Sequence, residues 1–173
     1  MLNTLLAQYN ITDIIDFGCG DGNQISMLRG IDSYLGIDVS AEAIKLCQQW
    51  CKNIANPRWM LLSDYRSETA EAALSLDVIY HLVEESIYEQ HLHLLFGAAQ
   101  QLVVIYGEDK DLIPTTKHIL HRKFTDWIKQ YYPQWCLANT ITVPQTNTSF
   151  YLLRAHLPAF VKTFTPLTGR RLG

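Results

Sequence analysis

The chain has 173 residues, 48% of them apolar, 18% charged, and a formal net charge of −3. That length and apolar share fit one domain with a sizeable core, and the charge pattern lacks the clustered basic face of a nucleic-acid binder. No run approaches the ~18 apolar residues of a membrane span, and residues 1–7 lack the basic start and small-residue cleavage pattern of a signal peptide. A cytoplasmic protein that engages neither membrane nor nucleic acid is expected.

In chain order, residues 11–17 form a short apolar run that ends in a glycine cluster and reads as a buried strand. A brief helix is predicted over 23–28, closed by Gly30, and a second strand over 34–39. Ser40 reads as the N-cap of a helix with Glu42 in its first turn. That helix runs to about residue 52 and must stop before Pro57, because the residue preceding a proline avoids helical angles. Strands follow at 59–62 and 73–76. A long helix is expected over 85–100, with Ile87, His91, Leu94, Leu95 and Ala98 at helical spacing. Residues 102–106 are the most strand-like run of all. A further helix over 117–131 and a hairpin of 135–143 with 149–154 complete the series.

Alternating strands and helices call for an α/β, doubly wound, mostly parallel sheet, with the hairpin adding an antiparallel strand. The expected domain covers residues 1–155, and 156–173, with Pro158, Pro166, Gly169 and Gly173, reads as a tail. Cys19, Cys47, Cys51 and Cys136 have neither disulfide nor zinc spacing, so Cys47 and Cys51 read as half-buried helix residues. His91 with His93, and His118 with His121, lack partners at ligand spacing, and no metal is expected.

The chemistry begins where the first strand runs into Asp16-Phe17-Gly18-Cys19-Gly20-Asp21-Gly22. Alternate glycines let the backbone turn tightly and approach a ligand without a Cβ in the way. A dinucleotide fingerprint would need glycine at 23 or 25, where Asn and Ile stand. A carboxylate at the strand end, two positions before the first glycine, suits a ligand bearing an ammonium group better than a phosphate. Asp38 closes the second strand, where a carboxylate can accept both hydroxyls of a ribose, and Asp64 follows the third.

Asp16-Phe-Gly-Cys-Gly-Asp-Gly, Asp38 and Ser63-Asp64-Tyr65 together resemble the cofactor motifs of class I S-adenosylmethionine-dependent methyltransferases, over roughly residues 8–154. The resemblance implies a seven-stranded Rossmann-like sheet of order 3-2-1-4-5-7-6 with strand 7 antiparallel. It places Gly18, Cys19 and Gly20 beside the methionine part and Asp16 near its amino group. Asp38 with Val39 would hold the ribose end, and Asp64 with the backbone of Tyr65 would face the adenine. Such domains usually carry a longer helical segment before the first strand, whereas here about ten residues precede it. An open cleft is one reading of that difference. A lid from a protein partner, a second copy or a missing segment is another.

Methyl transfer needs an acceptor held in line with the S–CH₃ bond, and a base only where the acceptor must lose a proton. After the fourth strand comes Asp77-Val-Ile-Tyr80-His81-Leu. It lacks the Asn/Asp-Pro-Pro-Tyr/Phe pattern associated with amide or base nitrogens and resembles small-molecule methyltransferases. Asp77 and His81 are candidate catalytic residues, with His121 from the later segment, and Tyr80 and Arg122 are candidate acceptor contacts. The expected activity is transfer of a methyl group to an O or N atom of a small molecule. The alternative is a cofactor-binding module that is inactive without a partner.

Overall fold

The structure is a computed structural model that describes residues 1–51, 54–113 and 116–156. Apart from His156, the expected tail lies outside the described residues. Among the described residues, seven strands form one sheet: β1 (Asp13–Phe17), β2 (Ser33–Asp38), β3 (Pro57–Leu61), β4 (Ala70–Leu76), β5 (Ala99–Gly107), β6 (Trp135–Thr142) and β7 (Ser149–Ala155). Their order is β3-β2-β1-β4-β5-β7-β6. The first five are parallel, and β7 runs antiparallel between β5 and β6. This is the order and strand direction that the motifs imply.

Among the described residues, four α-helices flank the sheet: α1 (Leu2–Gln8), α2 (Ala41–Trp50), α3 (Glu85–Ala98) and α4 (Phe124–Tyr131). The period of two along each strand divides the apolar residues between two faces. Ile15, Phe17, Leu35 and Ile37 pack toward Leu92, Leu95 and Ile128 of α3 and α4. Ile14, Tyr34, Leu74 and Val104 meet Leu5 and Leu6 of α1 on the other face. The segment before β1 therefore contributes a short helix to the core, buried at Leu5 and Leu6. The Ser40 hydroxyl caps α2 by accepting the amide of Ala43 at 3.2 Å.

Two predicted helices are corrected. Residues 23–28 make only a 3₁₀ turn, Ile25–Met27, because Leu28 already turns extended (ψ 147°). The helix expected from 117 begins at Phe124. The carboxylates of Asp111 and Asp109 take the amides of Lys123 and Thr125, both at 3.0 Å, and so set the start of α4. Between β3 and β4 there is only a 3₁₀ turn, Leu62–Asp64. With no α-helix in that crossover, the sheet face shared with α3 stays open near the ends of β2 and β3.

Candidate functional site

The loop after β1 is tied to the end of β2. The amides of Gly18 and Cys19 donate to the Ile37 carbonyl at 2.7 and 3.1 Å, and the Gly20 amide donates to Asp38 Oδ2 at 2.9 Å. Asp38 Oδ1 accepts the Ser40 amide at 2.9 Å, so one carboxylate fixes both the loop and the entry to α2. Gly18 has φ +86°, and a Cβ there would strike Val78. Gly20 has φ +57° and open space beside it, which leaves its backbone accessible. Cys47 and Cys51 are fully buried rather than half-buried. Their thiols donate from beneath the loop to the carbonyls of Gly20 and Gly22, at 3.2 and 3.4 Å.

Two cavities open along the carboxyl ends of the strands. The smaller, about 220 Å³, lies against the loop and is lined by Asp16, Cys19, Gly20 and Gln24 among others. The larger, about 360 Å³, is mostly apolar and extends from Asp38 and Val39 toward α3. Gly18, Asp77 and Val78 belong to both walls.

Asp16 is 2% exposed. Its Oδ2 accepts the Tyr34 hydroxyl at 2.8 Å, whereas its Oδ1 is buried and without a partner. Burial pushes the carboxyl from its ordinary 3.8 up to about 7; the Tyr34 hydrogen bond opposes this and the Asp38 charge adds to it. An orphaned carboxylate oxygen in a small cavity is a site for a cationic donor.

Asp77 sits at the shared wall with a left-handed backbone, φ +61°. Its Oδ1 accepts the Tyr80 hydroxyl at 2.9 Å, and its Oδ2 accepts the Gln24 amide at 3.2 Å. Burial and that bond to Asp77 hold the Tyr80 phenol above its ordinary range. The Tyr80 ring contacts those of His81 and His121, with centroids 4.4 and 5.4 Å away. His81 is exposed on the wall of the larger cavity, and His121 Nδ1 is buried with no partner.

Arg122, read from the sequence as a candidate acceptor contact, is turned inward. Its guanidinium donates to Glu85 Oε2 at 3.0 Å and to the carbonyls of Leu82 and Val83 at 2.9 Å, and lies 4.4 Å from the centre of the Tyr88 ring. Arg122→Ala should therefore cost about 2 kcal/mol of stability, the scale of lost charged hydrogen bonds. An unchanged melting curve would show that this tether is idle.

Asp64 and Tyr65 are not among the residues lining either cavity; Leu62, just before them, lines the larger one. Asp64 is exposed, and the Tyr65 ring packs edge-on against Phe17 at 5.3 Å. Sequence reasoning missed Leu62, Ile87, Gln90 and His91 as lining residues. The available signal was His91 itself, a polar residue at helical spacing among apolar ones.

Residues 15–93 match the family model described as a methyltransferase domain. Over those residues the chain is similar to methyltransferase domains. Among solved structures, the methyltransferase domain of the bacterial protein CtHen1-C has a TM-score of 0.72 at 19% identity, covering 90% of this chain and 95% of its own. Magnesium protoporphyrin IX methyltransferase from Synechocystis PCC 6803, with bound S-adenosylmethionine, has a TM-score of 0.68 at 18% identity, covering 88% and 75%. N-methyltransferase NodS from Bradyrhizobium japonicum WM9 has a TM-score of 0.67 at 14% identity, covering 89% and 94%. At these identities the likeness is one of fold. No curated protein matches the chain. Among the described residues, no helix is long and apolar enough to cross a membrane.

Proposed function

We propose that the domain, residues 1–155, moves the methyl group of S-adenosylmethionine to an oxygen or nitrogen atom of a small molecule. One observation carries this reading. A small cavity holding an unpartnered carboxylate oxygen and a larger apolar cavity edged by Asp38 share the wall Gly18, Asp77 and Val78. That division fits a ligand with an ammonium-bearing end and a nucleoside end. Asp16 would take the ammonium, with Gly18, Cys19 and Gly20 lending backbone and Asp38 taking the ribose beside Val39. When bound, the sulfonium supplies an electrophilic methyl group.

The chain's own residues do the rest. Tyr80 and Gln24 hold the Asp77 carboxylate at the wall common to both cavities. His81 stands exposed beside it, free to accept a proton from an acceptor O–H or N–H. His121 lines neither cavity, and by stacking on Tyr80 it braces the phenol that holds Asp77. Four unpaired cysteines suit the reducing cytoplasm, the compartment assigned here.

The test is calorimetric titration with S-adenosylmethionine, S-adenosylhomocysteine and NADH, followed by S-adenosylhomocysteine release on a panel of small O and N acceptors and a short RNA. Micromolar binding of the first two without NADH is expected, with turnover on a small acceptor. Turnover on RNA alone would overturn the acceptor class, and cofactor binding without any turnover would favour the partner-dependent module. His81→Ala should lower turnover at least tenfold while leaving cofactor affinity within about twofold. Equal loss of both would make His81 structural.

A further inference from the structure

Resting on the S-adenosylmethionine reading above, we infer that Tyr34 is a positioning residue of the cofactor site. Its buried hydroxyl fixes one oxygen of Asp16, turns the other to the smaller cavity, and so sets the pH at which a ligand bearing an ammonium group binds. In the sequence Tyr34 is only the first residue of a predicted strand, with nothing to link it to Asp16.

The register of β1 and β2 builds the placement. Ile14 pairs with Tyr34 and Asp16 with Gly36, so Tyr34 and Asp16 stand on the same face of the sheet, one step apart along it. Gly36 leaves the space between them open: a Cβ there would lie 2.5 Å from the ring of Trp59 and 3.0 Å from that of Tyr34. The Tyr34 ring leans into this space, with Trp59 of β3 edge-on against it at 5.3 Å. Tyr34 is fully buried, so its hydroxyl needs a partner within the fold, and it donates to Asp16 Oδ2 at 2.8 Å. Among the described residues, that is the hydrogen bond the Asp16 carboxyl makes.

A carboxylate this buried is favoured in its charged form by whatever donates to it. Burial, with Asp16 beside it, holds the Tyr34 phenol well above its ordinary range, so it keeps its proton and remains a donor. The other groups facing Asp16 are either neutral or oppose its ionisation. Asp38, at the end of β2, raises its pKa. Burial pushes the thiols of Cys19 on the loop and of Cys47 and Cys51 beneath it up, which keeps them uncharged. Asp21 and Asp77 line the same cavity and bring further negative charge. Without the Tyr34 hydroxyl, Asp16 stays protonated to higher pH and offers an ammonium group no charge.

The experiment measures binding of S-adenosylhomocysteine, and of 5′-methylthioadenosine, which lacks the amino-acid end, by calorimetry from pH 5.5 to 8.5. In the wild type, affinity for the first should rise through about pH 7 while affinity for the second stays flat. Tyr34→Phe removes one oxygen atom. It should move the rise up by about one pH unit, weakening S-adenosylhomocysteine about fivefold at pH 7 and less than about twofold at pH 8.5, and leave methylthioadenosine unchanged. With 3-fluorotyrosine at position 34, a stronger donor of nearly the same size, the rise should move down; that chain keeps the test open if Tyr34→Phe unfolds. In an Asp16→Asn background, adding Tyr34→Phe should produce no pH-dependent change. An unmoved rise in both position-34 variants, or equal loss of both ligands at every pH, overturns the role of Tyr34 and leaves the cofactor reading intact. Wild-type affinity for S-adenosylhomocysteine that is flat in pH overturns the ammonium assignment and Tyr34 with it, and failure to bind overturns the cofactor reading itself.

Discussion

Affinity for S-adenosylmethionine will fall by about tenfold for each pH unit below about 7, because Asp16 must be ionised to pair with an ammonium group. The carboxyl is held near that value by burial, with one oxygen bonded to Tyr34 and the other free. Stability of the ligand-free domain runs the opposite way. In the unfolded chain Asp16 ionises above its ordinary 3.8, while in the fold it stays protonated to about 7. Unfolding thus releases a proton between those values, and Asp16 lowers stability progressively as pH rises through that window, by about 4 kcal/mol in all. Asp16→Asn keeps an acceptor for Tyr34 and removes the charge. It should melt higher than the wild type at pH 8 without ligand, bind the cofactor at least tenfold more weakly, and lose the pH dependence of binding. Calorimetry from pH 5.5 to 8 with parallel thermal melts checks both halves; a wild-type affinity flat across that range would sink the ammonium assignment.

Asp38→Ala is expected to weaken cofactor binding by about 1–3 kcal/mol, for two separable reasons. The direct one is loss of an acceptor for the ribose hydroxyls. The indirect one is that the Gly20 and Ser40 amides each lose a 2.9 Å bond, which loosens the glycine loop and the start of α2 together. Asp38→Asn removes the charge and keeps only one of the two acceptor oxygens, so one of the Gly20 and Ser40 amides still loses its bond. It should recover part of the thermal stability lost in Asp38→Ala and part of the affinity. An unchanged dissociation constant in Asp38→Ala would remove Asp38 from the ribose.

The positions of the glycine loop, of Asp16 before it and of Asp38 at the end of the next strand were legible in the sequence because local backbone geometry sets them. The acceptor side was less so. Arg122 reads as an exposed cation next to Lys123, yet a chain reversal some forty residues from Leu82 and Val83 brings it to their carbonyls. Local pattern cannot report a bond of that sequence separation. The start of α4 escaped for the same reason: Asp109 and Asp111 set it from across a loop.

By itself the sequence determined the alternation of strands and helices, the strand order through its cofactor motifs, and the three acids at strand ends, since periodicity and turn chemistry act over a few residues. Tertiary structure decided which polar groups share a cavity. It left Asp16 Oδ1 without a partner, joined Asp77 to Gln24 and Tyr80, and kept Asp64 outside the groove. It also brought His91 into the groove wall with Ser75 as its partner. The physical reason is that burial and convergence depend on how helices cover the sheet, and no single segment encodes that covering.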